Sequence, residues 1–542
     1  MPSCVIFEDD HLLVINKPAG MNTHAPSPFA GEGIYDWLRN RESRWAKLAI
    51  IHRLDKETSG VIVFGKSTVA NRSLTEQFAS RAVRKKYLLL TDRAPARGEW
   101  LVKSKIIRAG ERYVSGAHGE QAETRFHVAA DARRRMSGPE RSETPHVVSY
   151  ELEAEPLTGR THQIRAHAAE KGFPILGDTL YGGSPFHRIC LHAAEITFQH
   201  PVTAKEITFC APADFEADTR EALRAALIDT EEMNAFRLIH GASDGWPGWY
   251  VERLGDFLLS QSEAALTEQQ RKRLAQFGPD IRGAYHKILS RHIRGTSAAE
   301  ASPQLVLGEP APDRFAIREN GIQFELSFNE GYSIGLFLDQ RDNRRRFLTG
   351  YIGPAFQLHD SKRETQNSKP SVLNVFSYTC GFSAAAAKSG ARTTSLDLSK
   401  KYLEWGCRNF SRNGLDPGEH DFIYGDAFDW LRRLAKKGRA FDAIVLDPPT
   451  FSQSKERGVF RVEKDYGQLV TAALPLLKPG GVLLASANAA EWPPETFLEV
   501  VEKSVRGGKR KILQQHYAPQ PPDFPVSRAE PAYLKTVWLR VG

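Results

Sequence analysis

Asp55 is an acidic residue in a polar stretch that leads directly into an apolar strand. The stretch reads Ile51-His52-Arg53-Leu54-Asp55-Lys56-Glu57-Thr58-Ser59-Gly60, and residues 61–64 are all apolar. Binding and catalytic groups collect in loops that a rigid element holds, because the surroundings of a carboxylate can be controlled there. Asp, Ser and Gly are equally common in turns, so this stretch by itself favours an ordinary turn.

A second polar stretch brings Arg160, His162 and Arg165 close together in sequence. It reads Leu157-Thr158-Gly159-Arg160-Thr161-His162-Gln163-Ile164-Arg165-Ala166-His167. An N-capping threonine and a terminating glycine predict a helix over residues 161–171. Taken alone, Arg165 fits a solvated helix residue, and Arg160 and His162 fit side chains that serve the helix N-terminus.

Together with further segments, these stretches resemble the RluA family of RNA pseudouridine synthases over residues 5–215. The further segments are Asn16-Lys17-Pro18-Ala19-Gly20, Lys86-Tyr87, Gly172-Phe173-Pro174-Ile175-Leu176-Gly177-Asp178 and Leu180-Tyr181-Gly182. The resemblance implies an isomerisation without a cofactor, in which uracil leaves the ribose through N1 and returns through C5 after the nucleotide has been flipped out of its stack. It also implies that the catalytic domain begins at the start of the chain, without the small RNA-binding domain that precedes it in some members.

The resemblance also assigns roles to single residues. Asp55 is expected to be the nucleophile, and Arg165 its ion-pair partner, which keeps the carboxylate ionised and oriented. Tyr87 is expected to stack on the uracil near the C5 proton, although alone it fits a core aromatic of a strand. Arg53 would fill the gap left by the flipped nucleotide or contact phosphate. RNA contacts are thus expected from three basic side chains, Arg53, Arg160 and His162.

Three carboxylates, Asp397, Asp426 and Asp447, each follow a predicted strand in the last part of the chain. Strands and helices alternate there, which predicts an α/β sheet of mostly parallel strands, with ligands bound beyond their carboxyl ends. The GxGxxG pattern of a dinucleotide site is missing, which disfavours a pyrophosphate cofactor. Asp397 is placed to accept hydrogen bonds from ribose hydroxyls and Asp426 from an adenine amino group, as in class I S-adenosylmethionine methyltransferases.

Residues 335–488 are similar to bacterial 23S rRNA methyltransferases, above all to the C-terminal half of the large bifunctional guanine methyltransferase. The motifs are Gly335-Leu336-Phe337-Leu338-Asp339-Gln340-Arg341, Asn374-Val375-Phe376-Ser377-Tyr378-Thr379, Tyr402-Leu403-Glu404-Trp405, Asp447-Pro448-Pro449-Thr450-Phe451-Ser452 and Ser486-Ala487-Asn488. The resemblance implies S-adenosylmethionine as the methyl donor. Besides Asp397 and Asp426, the expected cofactor-binding residues are Gln340, Phe376, Ser377, Tyr378, Thr379 and Gly381. Cys380 stands where that group commonly has glycine.

The methyl acceptor is expected in a pocket formed by four residues, Asp447, Pro448, Pro449 and Phe451, with the phenyl ring stacked on the base. Cytosine C5 is a poor nucleophile and needs a thiolate to add at C6 first. The positions that carry this cysteine in relatives are Pro448-Pro449 and Ser486-Ala487-Asn488 here, and no cysteine follows Cys407. Cytosine C5 is therefore disfavoured. A ring nitrogen such as guanine N7 needs only to be positioned and is favoured, with a base amino group or cytosine C5 as the alternatives.

Two segments rich in arginine allow more than one interpretation. Residues 130–145 are polar and poor in apolar side chains, which predicts an exposed loop. The helix predicted over residues 339–347 is basic on one side, with Arg341, Arg344, Arg345 and Arg346. By resemblance its start lies near the cofactor, and its later arginines are expected either at RNA phosphate or in solvent.

The composition is that of an ordinary soluble globular protein, with 41% hydrophobic and 25% charged residues. No apolar run approaches the ~20 residues of a membrane span, and the acidic N-terminus argues against a signal peptide. Five scattered cysteines without a CxxC pair indicate reduced thiols in the cytoplasm and no metal site. A net charge of +8 is compatible with a polyanionic partner, but many proteins of such charge bind no nucleic acid.

At 542 residues the chain is too long for one core, and three domains are predicted. Residues 1–215 form an α+β domain with a mixed or antiparallel sheet, residues 216–325 a tether helix and a small β-rich domain, and residues 326–542 a Rossmann-like α/β domain. We expect a two-enzyme fusion that acts on large-subunit rRNA. Transfer RNA as the substrate of the first half remains open, as does an rRNA-binding assembly factor with one inactive site. The oligomeric state is left open too.

Overall fold

The computed structural model describes residues 1–31, 33–96, 98–137, 146–289, 301–331, 333–359, 369–454 and 458–542. The chain divides into two compact units. The first comprises Met1–Pro26, Glu32–Arg39 and Lys47–Asp229, and the second comprises Ser27–Gly31, Asn40–Ala46 and Thr230–Gly542. The helix predicted as a tether is part of the first unit, and the predicted middle domain lies within the second.

One sheet contains all the strands described in the first unit. Its described strands are β1 (Val5–Glu8), β2 (Leu12–Lys17), β3 (Ala49–Ile50), β4 (Ser59–Gly65), β5 (Arg84–Thr91), β6 (Gly98–Ala109), β7 (Arg112–Ser115), β8 (Glu120–Ser137), β9 (His146–Pro156), β10 (Leu191–Gln199) and β11 (Glu206–Cys210). Their order is β1-β2-β4-β10-β5-β9-β8-β6-β7, with β3 paired to β4 and β11 to β10. Among these strands only β4 and β10 pair in parallel. The predicted mixed sheet is therefore confirmed. The helices described in residues 1–229 are Ile34–Arg41, Thr68–Ala79, Gln163–Glu170 and Thr219–Leu227.

The parallel contact between β4 and β10 depends on a glycine at the entrance of β4. Every residue of β4 is buried, which explains its continuous apolar run after the first two positions. Gly60 pairs with Ala193 at a φ of +118°, and a Cβ at position 60 would lie 2.2 Å from the Ala193 carbonyl oxygen. Only glycine allows this close approach. The approach fixes the point where the loop carrying Asp55 enters the sheet.

One predicted loop is partly a strand. Residues 130–145 lack the alternating apolar pattern of a strand, yet β8 continues to Ser137, and residues 133–137 pair with β9. Pairing with a neighbouring strand outweighs weak local propensity. The expectation of a loop is therefore wrong for residues 130–137, and residues 138–145 lie outside the described residues.

The second unit begins with a small β-rich part, as predicted. Its described strands are β12 (Ala235–His240), β13 (Trp249–Leu254), β14 (Phe257–Ser262), β15 (Gly283–Ile288) and β16 (Gln304–Gly308), which pair in this order. Helix Glu268–Ala275 connects β14 to β15, and these two strands therefore run parallel. The hairpin of β17 (Phe315–Glu319) and β18 (Ile322–Leu326) follows.

A parallel sheet forms the rest of the second unit. The remaining described strands are β19 (Tyr351–Gly353), β20 (Phe356–Gln357), β21 (Ser371–Val375), β22 (Arg392–Asp397), β23 (Asp421–Tyr424), β24 (Phe441–Leu446), β25 (Phe451–Ser454), β26 (Gly458–Arg461), β27 (Leu477–Asn488), β28 (Ile512–Tyr517) and β29 (Leu534–Val541). The sheet order is β23-β22-β21-β24-β27-β29-β28, and its first five strands are parallel. The helices described here are Arg341–Thr349, Gly381–Lys388, Lys400–Arg412, Ala427–Lys436, Val462–Ala473 and Pro494–Gly507.

This arrangement confirms the Rossmann-like α/β prediction and brings the predicted site residues together. β21 and β24 are neighbours in the sheet and almost wholly buried, because helices cover the sheet. The carboxyl ends of β21, β22, β23 and β24 lie at one edge, where such sheets bind their ligands. No helix in the described ranges is long and apolar enough to cross a membrane.

We predict that Gly60→Ala destabilises the protein more than Gly98→Ala. Both glycines have a positive φ, +118° and +130°, so each alanine carries a conformational cost of about 1–3 kcal/mol. A Cβ at position 98 meets nothing within 4 Å, whereas one at position 60 collides with the backbone of Ala193. Thermal unfolding should show the lower Tm for Gly60→Ala. Equal shifts would contradict the tight approach of β4 and β10.

Candidate active sites

Asp55 lies in a loop that a buried lysine holds from within. The Lys17 side chain is fully buried, and its Nζ donates to three backbone carbonyls at 2.7–3.2 Å, those of Pro18, Met21 and Lys56. Burial lowers the pKa of Lys17 to about 7. Thr23 adds two hydrogen bonds to the backbone of Leu54. Because a buried amine must keep all its hydrogen bonds, the loop has one fixed conformation.

Asp55 faces Arg165, but the direct partner of Arg165 is another acid. Asp55 Oδ2 lies 4.0 Å from Arg165 Nη1 and 3.9 Å from His162 Nε2. Arg165 donates from Nε and Nη2 to the two oxygens of Asp178, at 2.6 and 2.8 Å. The side chains of this pair are only 7% and 1% exposed. The predicted contact between Asp55 and Arg165 is thus long, and the short two-pronged ion pair belongs to Asp178.

Tyr181 connects the cation to the histidine. The Arg165 guanidinium lies over the Tyr181 ring, 5.0 Å from its centre. The Tyr181 hydroxyl accepts a hydrogen bond from the backbone N–H of Tyr113 and lies 3.0 Å from His162 Nδ1. Burial lowers the pKa of His162, although the charge of Asp55 opposes this shift. His162 precedes helix Gln163–Glu170 without capping it, and its imidazole points instead into the group around Asp55.

Gln163 explains why the second polar stretch has its sequence. Its Oε1 accepts hydrogen bonds from the Thr158 hydroxyl at 2.6 Å and from the Arg160 backbone at 3.0 Å. Its Nε2 donates to the Glu123 carbonyl and to the Thr124 hydroxyl, both at 2.9 Å. The buried amide therefore fastens the turn before the helix to β8. This places the helix start, and with it Arg165, relative to the sheet.

Two of the three candidate RNA contacts, Arg53 and Arg160, differ in their surroundings. The Arg53 side chain is exposed at the rim of the Asp55 loop. Arg160 is also exposed, but its guanidinium forms an ion pair with Glu120 and donates to the carbonyl of Gln121 at 3.2 Å. Exposed pairs of this kind contribute little to stability. Arg160 can therefore exchange its partner for another anion at small cost.

All six residues predicted for the first half line one cleft of about 1070 Å³. They are Asp55, Tyr87, Arg165, Arg53, Arg160 and His162. Tyr87 projects from β5, and burial together with the charge of Asp55 raises its pKa above the usual range, so it stays a neutral phenol. Apolar side chains, among them Leu157 and Leu191, complete the lining. A cleft of this size and mixed lining can accept a small ligand or one nucleotide.

In the second unit, the turn after β21 has an unusual backbone. Phe376, Tyr378 and Cys380 all have positive φ values, +61°, +48° and +63°. Such conformations persist where the surroundings enforce them, commonly at binding sites. Tyr378 provides this enforcement, because its N–H donates to Asp397 at 2.8 Å and its hydroxyl accepts from the Gly335 N–H at 2.8 Å. The turn and Asp397 therefore form one rigid group.

Cys380 takes a backbone conformation with a positive φ of +63°. Glycine adopts that conformation without strain, whereas cysteine does not. The thiol needs space of its own: a Cβ on Gly406 would lie 2.3 Å from Cys380 Sγ. Burial raises the pKa of Cys380 to about 12, so the thiol stays protonated. Cys380 is thus a buried structural residue and not a nucleophile.

The two acids predicted to hold the cofactor lie at neighbouring strand ends. Asp397 accepts one backbone N–H on each oxygen, from Tyr378 and Ser399, and burial raises its pKa to about 6. Asp426 caps helix Ala427–Lys436 through one oxygen. Each carboxylate keeps further lone pairs for a ligand. Beside them lie the side chains of Leu398, 41% exposed, and Tyr424, 60% exposed. Acids next to uncovered apolar surface fit a nucleoside, which has polar hydroxyls and a flat apolar ring.

Asp447 follows β24 and is held by neutral donors. Gln340 Nε2 donates to Asp447 Oδ1 at 3.0 Å and to Ser486 Oγ at 2.7 Å. Asn343 Nδ2 in turn donates to Gln340 Oε1 at 2.7 Å. Burial, with the charge of Asp339 as a second cause, raises the pKa of Asp447 to about 7. The carboxyl group is therefore oriented without being paired to a cation.

The other residues of the predicted acceptor pocket differ in exposure. Pro448 is buried and Pro449 exposed, and the Phe451 side chain is 49% exposed. Thr450, between them, donates from its hydroxyl to the Asn488 carbonyl at 2.6 Å, which ties this turn to the end of β27. An aromatic ring left uncovered beside a carboxylate fits a pocket for a flat, polar base.

Three of the four arginines of helix Arg341–Thr349 are buried, and Arg345 forms an ion pair with Glu42. Arg341 makes a two-pronged ion pair with Asp523 at 2.6 and 3.0 Å, and Arg344 makes one with Glu319 at 2.6 and 2.7 Å. Arg346 is also buried and donates to a backbone carbonyl. Solvent and RNA phosphate are therefore both wrong expectations for Arg344, which pairs with an acid distant in sequence, and for Arg346, whose guanidinium donates to protein oxygens.

Several residues of both sites were not expected to act there. Asp178 and Tyr181 belong to a motif that identified the family, but no role followed from their positions. Lys17 likewise lies in a motif, and nothing in its neighbours indicates that it is buried. Asp339 is the fourth: it is 8% exposed, and burial raises its pKa. The signal for each was its place in a specific motif.

Comparisons with known proteins assign a family to each half. Residues 11–170 match the RNA pseudouridylate synthase family, and residues 271–540 match the S-adenosylmethionine-dependent methyltransferase family. Both sequence resemblances are thereby confirmed, and so is S-adenosylmethionine as the cofactor of the second half.

Relatives and solved structures cover mainly the second half. A ribosomal RNA large subunit methyltransferase of Deinococcus radiodurans is 34% identical over 63% of this chain and 81% of its own length. Ribosomal RNA large subunit methyltransferase I of Klebsiella pneumoniae is 33% identical over 59% of this chain and 76% of its own. The crystal structure of SMU.776 with SAH is 32% identical over 57% of this chain and 76% of its own, with a TM-score of 0.48. Human RNA pseudouridylate synthase domain containing 1 is 23% identical over 42% of this chain and 89% of its own, with a TM-score of 0.32.

The special likeness to the bifunctional guanine methyltransferase is not tested by these relatives and stays a prediction. The identity and coverage of the D. radiodurans relative are enough to place the chain. The chain therefore belongs to the ribosomal RNA large subunit methyltransferase family, and it carries an RNA pseudouridylate synthase domain ahead of its methyltransferase domain.

Proposed function

We propose that Asp55 is the nucleophile of uridine isomerisation, with Arg165 and Tyr87 as its catalytic partners. The observation that carries this proposal is the convergence of all three on one cleft, with Asp55 4.0 Å from a guanidinium that Asp178 holds in place. Distances of this kind are common without substrate and shorten when it binds. The cationic Arg165 favours the ionised, nucleophilic form of a neighbouring carboxylate.

Each residue of the cleft has its own role in the proposed isomerisation. The reaction replaces the bond from ribose C1′ to uracil N1 by a bond to C5, and the proton of C5 is replaced by one on N1. Tyr87 stays a neutral phenol, so it stacks on the base and donates a hydrogen bond but does not remove the C5 proton as a phenolate. Asp55, once released from the sugar, is the nearby group that accepts this proton. Arg53, Arg160 and His162 contact the RNA around the flipped uridine.

We predict that Asp55→Asn lowers the rate of pseudouridine formation by a factor of about 10³ or more, because an amide is not a nucleophile. Glu57→Gln, in the same loop but outside the cleft lining, is the control and should retain activity. The substrate is unmodified large-subunit rRNA transcribed in vitro, and pseudouridine is detected by carbodiimide labelling and primer extension. Methylation by Asp55→Asn should be unchanged, which shows that the second unit is intact, and thermal unfolding checks that the first unit is folded. Full pseudouridine formation by this variant would refute the assignment.

We propose that the methyltransferase domain modifies a ring nitrogen, guanine N7, of large-subunit rRNA. When bound, S-adenosylmethionine supplies an electrophilic methyl group on a positive sulfur. Asp397 and Asp426, with the turn of residues 376–381, would hold this cofactor, since they present carboxylates beside uncovered apolar surface. Cytosine C5 would need a thiolate, but Ala487 follows Ser486 at the end of β27, and Cys380 is buried and protonated. The names of the relatives support rRNA as the substrate.

Asp447 supports a nitrogen acceptor in particular. Methyl transfer from a sulfonium to a neutral ring nitrogen moves the positive charge onto the base. A carboxylate in a poorly solvated site stabilises that developing charge. Asp447 is suited to this role because only neutral groups, among the described residues, donate to it. Phe451 would stack on the base. A base amino group would use the same carboxylate, and it is the second outcome of the test.

We predict that rRNA methylated by the wild-type protein is cleaved by aniline after borohydride reduction, the reaction of 7-methylguanosine. Unmodified transcript treated with Asp447→Asn should give little cleavage, since the charge on the base is no longer stabilised. Mass spectrometry of nucleosides identifies any other product. Finding 5-methylcytidine would overturn the argument from the missing cysteine. Finding a methylated amino group would leave the role of Asp447 intact and move the acceptor atom.

We predict that kcat/KM for methylation falls about tenfold per pH unit below pH 7. The pKa of Asp447 is raised to about 7, so its carboxylate is present above that pH and is lost to protonation below it. Asp447→Asn should show a low rate without this dependence. Pseudouridine formation by the same preparation is the control, and its kcat/KM should not fall in the same way below pH 7. A wild-type profile that is flat from pH 6 to 8 would contradict a role for the ionised form.

A further inference from the structure

We propose that Lys85 binds a backbone phosphate of the RNA next to the flipped uridine. The inference rests on the proposed cleft of the synthase domain and adds a contact to it. Arg53, Arg160 and His162 were expected to meet RNA, whereas Lys85 was not.

Lys85 lies beside the reacting groups. It is two residues before Tyr87 on β5, so both side chains project from the same face of the strand, about 7 Å apart along it. Both line the cleft that contains Asp55. On the other side, Lys85 Nζ lies 3.9 Å from the point where a Cβ on Gly159 would stand. The ammonium group is therefore inside the cleft, between the strand of Tyr87 and the turn before Arg165.

The Lys85 ammonium group lies over one aromatic ring, and a second ring stacks against the first. Lys85 Nζ lies 5.7 Å from the centre of the Phe78 ring. Phe78 stacks on His52 with ring centres 4.8 Å apart and an angle of 22°. His52 Nε2 accepts the backbone N–H of Val63 at 3.1 Å, and burial lowers the pKa of His52 to about 3, so this ring is neutral. A cation over such a platform is positioned without being neutralised.

The charge of Lys85 is uncompensated, unlike those of its neighbours. Arg165 is paired with Asp178, and Arg160 with Glu120. In the described part of the chain, no carboxylate lies within ion-pair distance of Lys85. Burial lowers the pKa of Lys85, which reflects the water that the ammonium group has lost. An anion entering the cleft would regain favourable interactions at this point, and phosphate is the anion that RNA brings.

The next residue provides a matched control. Lys86 is also a lysine of β5, but neighbouring residues of a strand project to opposite faces. Its Nζ lies 3.3 Å from Glu153, and both side chains are partly exposed. Lys86 is absent from the cleft lining. The pair of variants Lys85→Ala and Lys86→Ala therefore removes the same charge from the same strand, once inside the cleft and once outside.

The test is the salt dependence of pseudouridine formation by the full chain on unmodified large-subunit rRNA. Log(kcat/KM) is measured against log[KCl]. Lys85→Ala should make the slope shallower by about 1, the loss of one phosphate contact. Most of the effect should be in KM. Lys85→Arg should retain the wild-type slope, and Lys86→Ala should match the wild type.

Two results would overturn the proposal. One is an unchanged slope in Lys85→Ala, and the other is an equal loss of slope in Lys86→Ala, which would indicate a general effect of net charge. Thermal unfolding of each variant shows whether the domain is folded. If the alanine variant is unstable, Lys85→Met replaces it, because this variant also removes the charge but keeps a side chain of similar length, and the same loss of slope is expected. The proposal and the assignment of Asp55 fail separately, because Asp55→Asn is judged by product formation and Lys85→Ala by the salt slope.

Discussion

The buried ion pair between Arg165 and Asp178 determines what Asp55 can do. Removing one member of such a pair costs about 3–5 kcal/mol, so the guanidinium keeps its position whether or not RNA is bound. Asp178 occupies Nε and Nη2 and leaves Nη1 toward Asp55, at 4.0 Å. A carboxylate that is hydrogen-bonded through both oxygens would have little freedom to attack a sugar carbon. Asp55 is instead near enough to feel the charge and, at 32% exposed, still accessible from the cleft.

In the second unit, the carboxylate of the predicted acceptor pocket is oriented by neutral groups and not by a cation. Asp447 is oriented by the Gln340 amide, which Asn343 fixes in turn. No cation among the described residues forms an ion pair with Asp447, so its ionised form can stabilise a base that becomes positive. The consequence is a pKa raised to about 7, which ties the ionised form to neutral and alkaline pH. An arginine at the place of Gln340 would keep the carboxylate ionised, but it would also oppose the charge that develops on the base.

The sequence was sufficient to find the residues but not their partners. Asp55, Tyr87 and Arg165 stand in specific motifs, and the strand ends after β21 to β24 followed from the alternation of strands and helices. The pairing of Arg165 with Asp178 did not follow, because two acids compete for one cation and packing decides between them. The strand at residues 130–137 was missed for a related reason: its pairing with β9 supplies stability that its own composition does not indicate. Lys17 was missed because burial of a lysine is exceptional.

The arginines of helix Arg341–Thr349 show that a basic sequence does not by itself indicate an RNA-binding surface. The helix Arg341–Thr349 is the most basic stretch of the second unit to the eye, and a net charge of +8 makes an RNA-binding role attractive. Yet Arg341 and Arg344 form buried ion pairs with Asp523 and Glu319. Such buried pairs add nothing to the field that an RNA phosphate meets outside. A cation is informative about RNA only when it faces a cleft and lacks, among the described residues, an acid of its own. By these two criteria the role proposed for Lys85 has more support than an RNA contact by the buried arginines of the helix.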